Sequence, residues 1–187
     1  MSVRFSPALT GYFGKLPAYG DFVRSHLPAD FLDPWDGFCR RLLTESRAAL
    51  GEDWEADWMV APIWHFLLPP GVCGAAAVRG VWLPSIDQAG RHFPFTLLAF
   101  APTVSLLETG QAWAQAAEAL GLEAVVDDLP QRDFMPRLQA FSPNSPAQPP
   151  GWWTEGNERV APCHWALPEF PPNSTALLRD ASTLASS

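Results

Sequence analysis

Apolar and polar positions along this chain fall into two rhythms, and the changes between them mark its elements. From Phe31 the apolar residues Trp35, Phe38, Cys39, Leu42, Leu43, Ala49 and Leu50 recur at helical spacing. They predict an amphipathic helix closing near Gly51, with Pro34 tolerated only in its first turn. Trp113, Ala116, Ala117 and Leu120 predict a second helix ending at Gly121, and Phe134, Leu138 and Phe141 a third. The early stretch "TGYFGKL" is short, aromatic and glycine-bounded, which suits a strand leading into a turn over Pro17 to Gly20. "DFVRSHL" then reads as a short helix capped by Asp21 and ended by Pro28, with His26 near a helix end where it complements the dipole.

An acidic, tryptophan-bearing link, "EDWEADW", leads to "APIWHFLLPPG", a run of strand length between proline and glycine signals. In "VWLPSIDQAGRHFPFTLLAF" two apolar arms flank a polar connection, which predicts a hairpin or close strand pair. Its second arm, "FPFTLLAF", is apolar almost throughout and so reads as a strand covered on both faces. "SPNSPAQPPGWW" is a proline-rich surface loop, "ERVAPCHWALPEF" supplies an edge strand, and "DASTLASS" frays. Strands separated by helices point to a mixed α/β domain with helices on the sheet. A single domain over residues 1–187 is expected, with the loop at about 142–151 and the frayed tail at about 181–187.

Composition sharpens this picture. Hydrophobic residues make up 48% of the 187 and charged ones 17%, the balance of a packed globule. The net charge is −8, and Lys15 is the single lysine among 12 basic residues. With no basic stripe to displace counterions, nucleic acid and anionic membrane are disfavoured as partners, and a protein presenting arginines or lysines fits better. No apolar run reaches the roughly 20 residues of a bilayer span, and the N-terminus lacks an apolar signal-peptide segment, so a cytoplasmic location is expected. Three scattered cysteines, Cys39, Cys73 and Cys163, form no C-x-x-C pair and read as reduced, mostly buried thiols. No cofactor is implied.

Four places carry residue types with chemical potential. "GKLPAYGD" is not a phosphate loop, because Leu16 stands where a hydroxyl would hold Mg²⁺. It is either a strand, turn and capped helix or a recognition corner presenting Lys15, Tyr19 and Asp21. "LPSIDQAGRHFP" holds Ser85, Asp87 and His92, the residue types of a serine hydrolase, but lacks the G-x-S-x-G elbow. The simpler account has Ser85 and Asp87 ordering a turn while Arg91 or His92 reaches a carboxylate. Neither Cys73 with His65 nor Cys163 with His164 has partners at ligand spacing. In "GWWTEG", adjacent Trp152 and Trp153 cannot both face inward on a strand, so one is a candidate surface anchor, against packing under the loop.

Taken in order, "GYFGKLPAYGDFV", "WHFLLPPGVCG", "GVWLPSIDQAGRHFPFTLLA" and "WWTEG" resemble the signature of the type VI secretion-associated TagF family, also called ImpM, over roughly Thr10 to Gly156. The resemblance implies an α/β three-layer sandwich, a central mixed sheet flanked by helices. It also implies a cytoplasmic accessory protein of the contractile secretion machine. Members of the family are post-translational repressors that work independently of a threonine-kinase pathway and through a forkhead-associated scaffold protein. Some are fused to a phosphatase domain, for which this chain is too short, so it is expected to act by binding alone. No catalytic residues are implied. The motif positions are Gly14, Lys15, Pro17, Gly20, Asp21 and Phe22, then Pro84, Ser85, Asp87, Gly90, Arg91 and Pro94.

The expectation is therefore a non-enzymatic repressor of type VI secretion that binds the forkhead-associated scaffold. Its expected contacts are Lys15, Tyr19, Asp21, Ser85, Asp87 and Arg91, with Trp152 or Trp153 as anchor. The alternatives are a structural component of the secretion apparatus and a small hydrolase using Ser85, Asp87 and His92.

Overall fold

The computed structural model describes residues 6–140, 146–166 and 174–180. Among the described residues seven strands form one sheet: β1 (Leu9–Gly14), β2 (Val23–Arg24), β3 (Trp64–Leu68), β4 (Ala77–Leu83), β5 (Phe95–Ala101), β6 (Gly151–Thr154) and β7 (Cys163–Ala166). Their order is β2-β1-β5-β4-β3-β6-β7. Every pairing among the described residues is antiparallel, which corrects the expected mixed sheet. The central strands follow one another through helix-free loops, whereas parallel neighbours need a crossover of about a dozen residues or more, usually a helix.

The helices α1 (Ala29–Leu50), α2 (Trp54–Met59), α3 (Gln111–Val126) and α4 (Phe134–Gln139) pack against this sheet. Alternate strand positions feed two cores. Phe66, Val78, Trp82, Leu98 and Phe100 meet α1 and α2, while Leu67, Val81, Leu97 and Ala99 meet α3 and α4. The uninterrupted apolar run of β5 follows from this two-sided burial, as its sequence predicts.

The helix closing at Gly51 forms as predicted, with Gly51 at φ 57° and its N–H donating to the Arg47 carbonyl. It starts earlier than Phe31, however, so Pro34 falls in the second turn and cannot donate to the Asp30 carbonyl. The chain after β3 packs there, with the Ala75 N–H donating to the Asp30 carboxylate (2.8 Å) and the Cys73 thiol directed at the Phe31 carbonyl (3.7 Å).

Three local expectations are corrected. "DFVRSHL" is not a helix: Val23 and Arg24 pair with Gly14 and Phe13, and exposed His26 lies ahead of the N-terminus of α1, the wrong end for the dipole. The acidic link contains α2, whose Trp54 and Trp58 are buried four residues apart. The second helix runs through Gly121 to Val126, because the missing side chain lets it press against Leu83 and Leu97, whose methyls lie 2.8 and 2.9 Å from where a Cβ would stand. Phe141 and the tail from 181 lie outside the described residues.

Residues 174–180 return to the α1 side. Leu177 and Leu178 are fully buried there, and the Trp64 indole N–H donates to the Leu177 carbonyl (3.0 Å). Buried Asp57 pairs with Arg159, and Arg179 lies 2.6 Å from its other oxygen, within ion-pair reach though not aligned as a hydrogen bond. The Trp152 ring stacks on Phe66 at 4.7 Å, which seals the far side of this core.

Candidate partner-binding corner

The two sequence stretches singled out above meet in space. β1 ends at Gly14, whose φ of 142° and missing side chain let it pass the Pro94 carbonyl, where a Cβ would stand 2.0 Å away. That passage delivers Lys15 under the tip of the β4–β5 hairpin. Its ammonium donates to Asp87 Oδ2 at 2.8 Å and lies 5.0 Å from the centre of the Phe22 ring. Asp87 Oδ2 also accepts from Arg91 Nε (2.7 Å), and Oδ1 accepts from the Ala89 and Arg91 N–H groups (3.0 and 2.9 Å). Gly90, at φ 78°, closes this turn by donating to the Asp87 carbonyl.

Burial alone would raise the Asp87 carboxyl. The Lys15 hydrogen bond and the backbone and side chain of Arg91 outweigh it and hold the group well below the usual carboxylate range. The far end of Arg91 donates to the Gly20 carbonyl (2.7 Å), and the Gln88 N–H donates to the Tyr19 carbonyl (2.8 Å). One carboxylate thereby fixes the hairpin tip and the Pro17–Gly20 turn as one unit.

Burial divides the expected contact residues. Lys15, Ser85 and Asp87 are buried and hold the corner together, so they are corrected from surface contacts to supports. Tyr19 is half-buried, its hydroxyl accepting from the Gln131 N–H at 2.9 Å. Asp21 and Arg91 are exposed, with 62% of the Arg91 side chain open to solvent. The Asp21 carboxylate does not cap a helix; it accepts from the N–H of the next residue, Phe22 (2.7 Å).

Trp152 and Trp153 are both buried, and neither is a surface anchor. They do face opposite ways, as strand neighbours must, but this sheet buries both faces, so Trp152 enters one core and Trp153 the other. β6 also stands four strands away from β1, at the other end of the sheet.

The serine-hydrolase arrangement does not form. Ser85 Oγ is directed at the Ile86 carbonyl (3.4 Å), Asp87 is held by Lys15 and Arg91, and His92 faces Arg47 (3.3 Å) and Glu55 (3.7 Å). Burial, then the Arg47 charge, lowers the His92 pKa. The thiols are equally engaged elsewhere: burial pushes Cys73 up to about 12 and Cys39 well above its ordinary value, so both stay protonated. Among the described residues no group of three or more His, Cys, Asp or Glu is placed to hold a metal ion, and no helix is long and apolar enough to cross a membrane.

Beside Asp21 the surface hollows into a cavity of about 430 Å³ with a floor of Phe13 and Phe22 and a rim of Asp33, Asp36 and Arg40. Phe22 stacks on Phe13 at 5.4 Å and meets Phe93 edge-on at 4.8 Å, which fixes that floor. The rim residues escaped notice in the sequence. Their three- and four-residue spacing along α1 marks its polar face, and it was the only available signal.

No curated protein matches the chain. Among solved structures it is similar to PA0076 from Pseudomonas aeruginosa PAO1, at 27% identity and a TM-score of 0.77, over 91% of this chain and 94% of that one. Both fingerprint stretches, with the corner they build, fall inside the span that a family profile matches, residues 11–141. On that match, which takes in more than half of its length, the chain belongs to the family of TagF N-terminal domains, associated with the type VI secretion system.

Proposed function

We propose that this protein is a cytoplasmic, non-enzymatic regulator that represses type VI secretion by binding a forkhead-associated scaffold protein. Family membership supports the link to secretion. The observation that carries the binding mode is the corner itself. Residues 72 apart in sequence are locked by the buried Lys15–Asp87 pair, and the lock holds Asp21 and Arg91 at the surface on a rigid base. Preset polar groups of opposite sign favour specific recognition, because little side-chain freedom is lost on binding. The triad residues that would support a hydrolase have other partners, which favours a binding role.

The test pairs a pull-down with a genetic readout. Wild-type protein is expected to retain the scaffold, and folded Asp21→Ala and Arg91→Ala variants to lose it. Deleting the gene is expected to raise secretion. Abolished secretion would instead make the protein a component of the apparatus, and unchanged scaffold binding in both variants would remove the corner from the interface.

A further inference from the structure

The helices cover the two faces of the sheet unequally. On the α3 side, α4 lies against β1 and α3 against β4 and β5, with Glu118 of α3 reaching His65 on β3. The register there sets His65, Trp153 and His164 side by side across three strands. Their rings stack at centroid separations of 5.7 and 5.9 Å, and His164 is exposed. Between this row and α3 runs a groove made of two adjoining hollows of about 320 and 240 Å³, which share His65, Glu118 and Glu155.

The α3 wall of the groove sets Ala119 and Leu122 beside the polar Gln111 and Gln115, and its rim is acidic. A helix with one side in water normally turns a polar face outward, yet the outer stripe of α3 carries Ala119, Leu122 and Val126, with Leu122 44% and Val126 70% exposed. Glu118 and Glu155 border the groove, and exposed Asp127 and Asp128 follow the end of α3. The last turn of α3 holds no basic residue of its own, and although Arg137 of α4 pairs with Glu123 there (2.6 Å), Glu118, Glu155, Asp127 and Asp128 outnumber that one cation around this end. His65, only 4% exposed, lines the groove; its Nε2 meets Glu118 at 2.5 Å, and its Nδ1 has no hydrogen-bond partner among the described residues.

We propose that this groove docks an amphipathic helix of a protein partner, with the apolar face of that helix on the exposed Ala119 and Leu122 and its flanking lysines or arginines on Glu118, Glu155 and Asp127. A helix laid in an apolar groove is a recurring recognition mode, and the rim decides the charge it accepts. A second copy of this chain, at net charge −8, would oppose carboxylate to carboxylate. The site lies at the opposite end of the sheet from the Lys15 corner and does not depend on the regulatory reading.

The experiment titrates the full chain, labelled with ¹⁵N, with a synthetic amphipathic helix of leucine and lysine and with a matched helix of leucine and glutamate. The lysine helix is expected to shift the amides of Ala119, Leu122 and Val126 and the indole of Trp153, and the glutamate helix to leave them unmoved. The exposed double variant Leu122→Lys/Val126→Lys, with an unchanged circular dichroism spectrum, is expected to bind the lysine helix about tenfold more weakly or worse, the equivalent of one lost leucine contact. Equal affinity in the variant, or shifts scattered over the acidic surface, would overturn the proposal. So would dimerisation through α3 without peptide, which would make a second copy the occupant.

Discussion

The ammonium of Lys15 and the carboxylate of Asp87 meet at 2.8 Å with 9% and none of their side chains open to solvent, so the chain's single lysine serves its own fold. Asp87→Ala leaves the buried Lys15 ammonium without a counter-charge and is expected to destabilise by about 3–5 kcal/mol, whereas Lys15→Met leaves Arg91 on the carboxylate and should cost less. In the double variant the loss should fall well short of the sum, as read by urea denaturation in a double-mutant cycle. Strict additivity would show that the two groups do not support each other.

Acid should find the same weak point. The folded Asp87 carboxyl is held below the value of about 3.9 that it takes in an unfolded chain. Its stabilisation is therefore fully present above about pH 4 and is lost as the pH falls towards the depressed folded value. Melting temperatures recorded from neutral to acid pH should fall more steeply for the wild type than for Asp87→Asn. Parallel curves would contradict this assignment.

Gly80 is the partner of Phe66 across β3 and β4, and a Cβ there would stand 2.1 Å from the tip of the Phe66 ring. Gly80→Ala is expected to destabilise by about 1–3 kcal/mol through overpacking. Adding Phe66→Leu should recover part of the loss. If Gly80→Ala melts with the wild type, the ring does not lie where the structure places it.

Thiol titration separates the cysteines. Cys163 is partly exposed and should react with Ellman's reagent in the native protein, whereas buried Cys39 and Cys73 should react only after denaturation. Equal rates for all three would mean that the α1-side core opens readily.

Local pattern carried most of the framework. The spacing of Trp35, Phe38 and Leu42 gave α1, and the unbroken apolar run of β5 announced burial on both sides. The same two-sided burial was not extended to Trp152 and Trp153, because β6 joins the sheet through β3, a neighbour no local pattern names. The misread helix after Asp21 has a similar cause: the propensity of a few residues yielded to pairing with β1. α2 left a usable trace in the four-residue spacing of Trp54 and Trp58. The Lys15–Asp87 contact left none, since its partners are brought together only by the finished sheet.

Residues 146–166 and 174–180 have a bearing on how the protein can be divided. The family profile match stops at residue 141, yet β6 shields the outer edge of β3, and Leu177 and Leu178 plug the core beneath Trp64. A fragment cut at the limits of that match would bare a strand edge flanked by Trp64 and Phe66, the kind of edge on which chains aggregate. A boundary drawn at residue 141 would thus cut away strands and side chains that the sheet buries, whereas the likeness to PA0076 extends over 91% of the chain.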